Sequence, residues 1–558
     1  SRACLPKKGH YWMKSVPGLD LSKGMVDQFI PGNDRFYADP SEVGPWRNPT
    51  DIDVVGDHYW VEERLPVESI DSKTGLVRCR RRSVFVLRDD LGGKLCRYRF
   101  ENVAEALTEP GEWYLDRTSG SLTYLALPGE EPGKTLVTAP CTTELLALRG
   151  TEANPVRGVT VENLTFECTD WQQPPAGSLE GFEDAGLLRA DEAYGAATQA
   201  ACNLGGVISG EYAQDCTLRD LTIRNTGHYA VVLGRGCRRV TVAGNRMEDL
   251  GAGGVRLNGG NAYAEKSAHN GEHQITDNEI LHGGRVFLSA VGVLLMHSYG
   301  NLVAHNHIQD FYYTGVSCGW VWGYDASVSR DNRIEYNHIH DIGQGVLSDM
   351  GGIYTLGVQP GTVLRGNRIH DVQQRNYGGW CIYLDEGSSH ILVEGNVCYR
   401  AGTQVFNQHY GRENVVRNNL FAFGGHTVVS TGRLEDHNSF TLTNNILVTD
   451  GKPVIAIAAA RGEGRLGFRA DSNLVWDTKG APCFCAILAT EKPGDARRWT
   501  EAAWKETRND LFSIVADPRF ADPAKDDFTL KPDSPAARIG FTAFDLSRAG
   551  PRKGTTGA

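Results

Sequence analysis

The 558-residue chain lacks any apolar run long enough to cross a membrane, and it lacks any block of like charge. The first absence argues against a membrane span and the second against a disordered charged tail. A basic excess is also missing: 57 Lys and Arg stand against 68 Asp and Glu, a net charge of −11. A nucleic-acid partner would demand a basic face for its phosphates, so none is expected, and the charge is read as serving solubility. Thirteen cysteines run from Cys4 to Cys485 without paired spacing. Only Cys483 and Cys485 lie close together, and the odd total excludes full intrachain pairing, so mostly unpaired core thiols are expected. No His-x-x-x-His or carboxylate grouping has a convincing ligand pattern, so neither metal nor cofactor is expected. The opening Ser-Arg-Ala-Cys lacks Met and reads as processed or trimmed.

What is present is glycine, 65 residues spread along the chain, and a repeat. An Asn with an apolar residue two positions on recurs at Asn245, Asn278, Asn306, Asn337, Asn367, Asn396, Asn419 and Asn445, at intervals of 23 to 33 residues. That period signals a solenoid. The units are short, β-branched and broken by Gly and Asn, without the 3.6 period of helical repeats, so each is a coil of strands. The expected fold is all-β: a right-handed parallel β-helix over residues 151–475, with stacked Asn bonding along the turns. Residues 1–150 instead alternate with period 2, and predict a β-rich, sandwich-like domain. A hairpin is expected within it, turning at Ser119 and Gly120. Residues 476–558 predict a cap closing the last coil.

Coil length varies informatively. From the Asn to the next Gly-led strand is about ten residues in most coils, but 15 or 16 at Asn278, Asn337 and Asn367. Insertions in a solenoid map to loops on one face, commonly the binding face. The two adjacent long coils carry Ser348-Asp349-Met-Gly-Gly-Ile-Tyr354 and Gly379-Trp-Cys-Ile-Tyr-Leu-Asp385-Glu386. Taking the apolar residue of each Gly-led strand as inward sets Tyr354, Tyr383 and Phe406 in one outward column and Asp385 and Gln408 in another. His297, Trp320, Glu386 and His409 follow where the strands turn. Trp320, Trp322 and Trp380 would supply flat platforms for sugar rings.

A carboxylate pair on an aromatic groove fits glycoside hydrolysis, one acid protonating the leaving oxygen while the other attacks or activates water. Asp349 and Asp385 are the candidate pair, with Glu386 as fallback. The candidate substrate contacts are Tyr354, Tyr383, Trp380, Trp320, Trp322, His297, Gln408 and His409. A structural role stays open to each acid, since Asp readily bonds the backbone of its own turn. His338, His340 and His370 lie on the regular strand of the repeat and are read as stacked side chains; His282 and Asp310 get the same reading.

The two Asp-containing segments, with Gly111-Glu-Trp-Tyr-Leu-Asp-Arg117, resemble glycoside hydrolase family 141. That resemblance implies a β-helix enzyme, Asp349 and Asp385 as its catalytic pair, and an α-L-fucosidase, with xylan hydrolysis as the alternative. Such an activity implies a carbohydrate substrate and a secreted, periplasmic or cell-surface location. Two other β-helix functions compete. A polysaccharide lyase uses a Lys or Arg base, often with Ca²⁺; no Lys occurs between Lys266 and Lys452, which leaves Arg330, Arg365 and Arg375. A non-catalytic glycan-binding helix would use an aromatic groove equally well, but gives no reason for two acids in adjacent inserted coils.

Overall fold

The computed structural model describes residues 1–23, 29–30, 32–89, 93–176, 188–189, 191–457, 466–487 and 498–552. Three long sheets run along one solenoid. Sheet one has thirteen strands from Leu146–Arg149 to Arg498–Trp499, sheet two has eleven from Thr160–Glu162 to Arg469–Asp471, and sheet three has twelve from Thr165–Glu167 to Ile514–Val515. Each strand pairs in parallel with its equivalent one coil away, except the antiparallel pair that ends sheet one. The chain is a parallel β-helix. Its interior is one continuous column of Val, Ile, Leu, Phe and Cys. All thirteen cysteines are free thiols; nine are buried, six of them in this column.

The turn between sheets two and three explains the Asn repeat. The residue before each Asn, Gly244, Asp277, His305, Tyr336, Gly366, Gly395, Asn418, Asn444 or Ser472, has φ between +54° and +67°. That left-handed step turns the chain sharply and points the next side chain inward. Inside, from Asn278 onward, each Asn Oδ1 accepts the backbone N–H and the Nδ2–H of the Asn one coil before it, while Asn245 accepts from Leu221 N. At Asn337 these distances are 3.0 and 2.9 Å. Buried backbone groups at every turn are thereby satisfied. Asn473 adds a further rung beyond Asn445, accepting from its N–H at 3.0 Å.

The first 150 residues are β-rich, as expected. Arg35–Tyr37, Asp53–His58, Val61–Asp71, Leu76–Cys79 and Arg97–Glu101 form one antiparallel sheet with two short N-terminal strands. The hairpin Trp113–Asp116/Ser121–Tyr124 turns through Gly120 at φ +72°. One sheet face carries its own core, around Phe36, Tyr98 and Phe100. The other face, bearing Arg64 and Arg97, meets the β-helix: these guanidiniums donate to Val286 O at 2.9 Å and Val346 O at 2.7 Å. The strands curl over this core, so that Phe36 on one edge strand meets the Tyr98 ring near the opposite edge at 4.9 Å, and the outer face docks on the β-helix.

Part of the C-terminal segment closes the solenoid: Trp499, on the antiparallel strand Arg498–Trp499, and Trp504, on the helix Glu501–Lys505, fill the end of the interior column. Residues up to Val515 still belong to the coils, and Leu146–Arg149 already does, so the solenoid overruns both expected borders. Phe520, Phe528, Ile539 and Phe541 then pack on the outer side of sheet three, against Tyr399, Leu420 and Val448. From there the chain runs back along the turns: Thr542 exchanges hydrogen bonds with Asn418, and Arg552 reaches Asp277. It is a strap. The outer positions of sheet three are apolar at Val397, Leu420, Ile446 and Leu474, and exposed apolar columns need a cover.

Candidate active site

Asp385 immediately follows the sheet-one strand Gly379–Leu384, and Asp349 immediately precedes the neighbouring strand Met350–Thr355. Ile353 pairs with Ile382 and Tyr354 with Tyr383, the register expected from sequence. The Asp385 carboxylate accepts from Tyr354 Oη at 2.5 Å, Tyr383 Oη at 2.7 Å and His409 Nδ1 at 2.8 Å. Both carboxylate oxygens are thus engaged by side chains of the surrounding coils. Tyr354 and Tyr383 are held well above the usual phenol range, first by burial and then by the charges of Asp385 and Asp349. They remain neutral donors. Tyr313 is raised likewise by burial and the same two acids, and it donates to Asp349 O at 3.1 Å. Both carboxylates therefore bear on one group of rings.

The loops around Asp349 are fixed from several sides. Ser348 N donates to Tyr59 O of the N-terminal domain at 2.9 Å, and Asp349 N donates to Tyr377 O at 3.1 Å. Arg375, in the next inserted loop, bonds Asp57 O at 2.9 Å and Asp89 Oδ2 at 3.0 Å. Gly378, at φ +72°, lies so close that a Cβ there would sit 2.8 Å from Asp349 Cα. The inserted coils thus dock the first domain and, in doing so, position the acid.

That docking overturns the expected open groove. Tyr59, Val61, Val84 and Phe85, with residues Tyr194 to Leu204, cover the outer face of sheet one. Trp320 is fully buried, and Tyr354, Tyr383, Trp380 and His297 are nearly so. Trp320 is no sugar platform; it packs edge-on to the half-buried Trp322 at 5.5 Å. Trp380 lies tilted against Tyr383, ring centres 4.0 Å apart, and donates to Gln404 Oε1 at 2.6 Å. Trp320→Ala is expected to cost about 3–5 kcal/mol in stability and leave KM nearly unchanged, as urea denaturation and kinetics would show.

The outward column also slips by one after Tyr383. Ile382 pairs with Phe406, so Phe406 is core and Asn407, paired with Tyr383, faces out. Gln408 pairs with Leu384 and accepts from buried Asn414 Nδ2 at 2.8 Å. It binds the scaffold instead. A one-residue shift reverses the face of every side chain after it. His409 remains at the site and keeps about a third of its side chain in solvent. Beyond it lie residues that sequence reasoning missed: Tyr410 donates to Glu386 Oε2 at 2.8 Å, and Tyr324 bonds Glu435 beside His437. Arg433 and Arg412 lie over the Tyr410 and Tyr324 rings, each at 4.4 Å. Nothing in the repeat spacing marks these positions, which come from separate coils.

The His409 imidazole is opposed by burial but raised on balance by its bond to Asp385 and the charges of Asp385, Glu386 and Asp349. A raised value means its contact contributes most below the ordinary imidazole titration and is lost as pH rises through the raised one. Wild type should therefore lose stability across that window relative to His409→Gln. Parallel urea midpoints in the two proteins would reject this.

Residues 206–352 match the family described as "Right handed beta helix region". The chain is 24% identical over 220 residues to "Uncharacterized protein YwoF" of Bacillus subtilis (strain 168), covering 38% of this chain and 39% of that protein. A solved structure named "Glycoside hydrolase" superposes with a TM-score of 0.58 at 18% identity, covering 78% of this chain and 76% of that one. Another, "The complex structure of XylC with xylose", gives a TM-score of 0.35 at 11% identity over 93% and 75% of the two chains. The 0.58 superposition concerns the fold alone.

Proposed function

We propose that this protein is a glycoside hydrolase that works through Asp385 and Asp349. The observation that supports the reading is geometric: Tyr354 and Tyr383 donate to the Asp385 carboxylate, and Tyr313 donates to the Asp349 carbonyl at the head of the neighbouring strand. In this reading Asp385, surrounded by donors, is the base or nucleophile, and Asp349 is the proton donor. Glu386 is tied to Tyr410 and lines the site. The family 141 likeness makes an α-L-fucoside the first substrate to test and xylan the second. A polysaccharide substrate would place the enzyme outside the cytoplasm: secreted, periplasmic or on the cell surface.

The arginines left to a lyase are engaged elsewhere. Arg375 binds the N-terminal domain, Arg365 bridges Glu335 and Glu394, and Arg330 lies over Tyr299 at 4.3 Å. Assay against aryl glycosides and plant or algal polysaccharides tests the proposal, with new reducing ends as the expected product. An unsaturated, ultraviolet-absorbing end would mean elimination, and binding without turnover would mean a glycan-binding module. Hydrolysis should survive dialysis against a chelator. Loss of activity restored by Ca²⁺ would count against it.

A further inference from the structure

Sheet three carries a second cluster that the proposed hydrolysis does not use. Its strands His307–Phe311, His338–Ile342 and Arg368–Val372 lie side by side, with His307 paired to His338 and His340 paired to His370. Sequence spacing shows two local His pairs at most. Stacking the coils brings four imidazoles together. His307 Nε2 lies 2.9 Å from His340 Nε2, and His338 Nε2 lies 2.9 Å from His370 Nε2. One nitrogen from each of His307, His338 and His340 falls within 4.8 Å of the others.

The surroundings of these rings go beyond packing. His340 Nδ1 bonds Asp341 Oδ2 at 2.9 Å, and that oxygen also accepts from Gln309 Nε2 at 3.0 Å. His370 Nδ1 bonds Asp371 Oδ2 at 2.6 Å, and Asp371 is held by Arg400 through two contacts of 2.7 Å. A carboxylate that accepts a hydrogen bond from Nδ1–H leaves the Nε2 lone pair free to ligate, and this outer partner recurs at metal-bound histidines.

We infer that His307, His338 and His340 form a binding site for one divalent transition-metal ion of the zinc, cobalt or nickel kind, with water or His370 in the fourth position. Imidazole suits these ions, whereas Ca²⁺ and Mg²⁺ require oxygen donors. Tetrahedral ligand bonds of roughly 2.0–2.1 Å separate neighbouring nitrogens by about 3.3 Å, so the 2.9 Å pair must part by only about 0.4 Å. The ligands come from two consecutive coils, so the ion would staple one coil to the next. It would sit on sheet three, whereas Asp385 follows a strand of sheet one. Its role is structural, and its presence is independent of the proposed hydrolysis.

The test uses the untagged full chain, stripped with a chelator and titrated with Co²⁺ and then Zn²⁺. The expected result is saturable uptake of one Co²⁺ per chain, with the visible absorption of a nitrogen-ligated tetrahedral ion, bleached by Zn²⁺. Zn²⁺ should also raise the thermal midpoint, because only the folded chain holds the site. His340→Gln should abolish the cobalt absorption, and Asp341→Asn should weaken uptake by about 10- to 100-fold while keeping every ligand. Circular dichroism checks that both variants are folded, and the wild-type titration decides the matter even if one is not. No stoichiometric uptake by wild type, or the same spectrum in folded His340→Gln, overturns the site.

Discussion

Asp385→Asn and Asp349→Asn are each expected to reduce turnover by roughly 10² to 10⁴ or more, at near-native stability. The swap keeps the shape of each side chain and removes its charge and proton exchange. At position 385 it also places an amide among three donors, so one of the bonds from Tyr354, Tyr383 or His409 must rearrange. The two variants should differ with substrate. A good aryl leaving group departs without a proton, so Asp349→Asn should recover much of its loss on such a glycoside, while Asp385→Asn should not. Glu386→Gln keeps an acceptor for Tyr410 and should be milder. Full activity in either Asp variant, with Glu386→Gln inactive, would move the catalytic role one residue along. Equal recovery of both variants on activated substrates would instead leave the carboxylate pair and remove the division of labour between them.

The largest effect on stability is expected away from the site, at the Asn ladder. The Asn337 side chain makes four contacts: it accepts from Asn306 N and Nδ2, and donates to Val303 O at 2.9 Å and Asn367 Oδ1 at 3.0 Å. All of these groups are buried. Asn337→Ala would leave a backbone N–H and a carbonyl without partners, and each orphan costs about 1–3 kcal/mol. With the lost side-chain contacts, a total of roughly 3–6 kcal/mol is expected, a large part of a typical folding free energy. In a solenoid the damage should centre on neighbouring coils. Hydrogen exchange should therefore speed up most in the turns around Asn306 and Asn367, with a lower urea midpoint. A change below about 1 kcal/mol would mean that water replaces the amide, and that the ladder is not what holds the turns.

The sequence by itself determined the solenoid, its register across the two long coils, and the adjacency of the two acid-bearing segments. It could do so because each coil is a local unit. An Asn after a left-handed step, an inward apolar residue and a period of 23 to 33 residues repeat in every copy. Tyr354 beside Tyr383 follows from that repeat, since equivalent residues in parallel coils stack. Only the tertiary structure decided what covers the stack. Sequence alternation says that Trp320 and Tyr383 point away from the core, but an outward residue meets solvent only where nothing docks. Here the N-terminal sheet docks on that face through Arg64, Arg97 and Arg375, contacts that join residues hundreds of positions apart. The strap over sheet three and the meeting of His307 with His340 have the same origin. They depend on which surfaces come together in space, and no repeat within the chain records that.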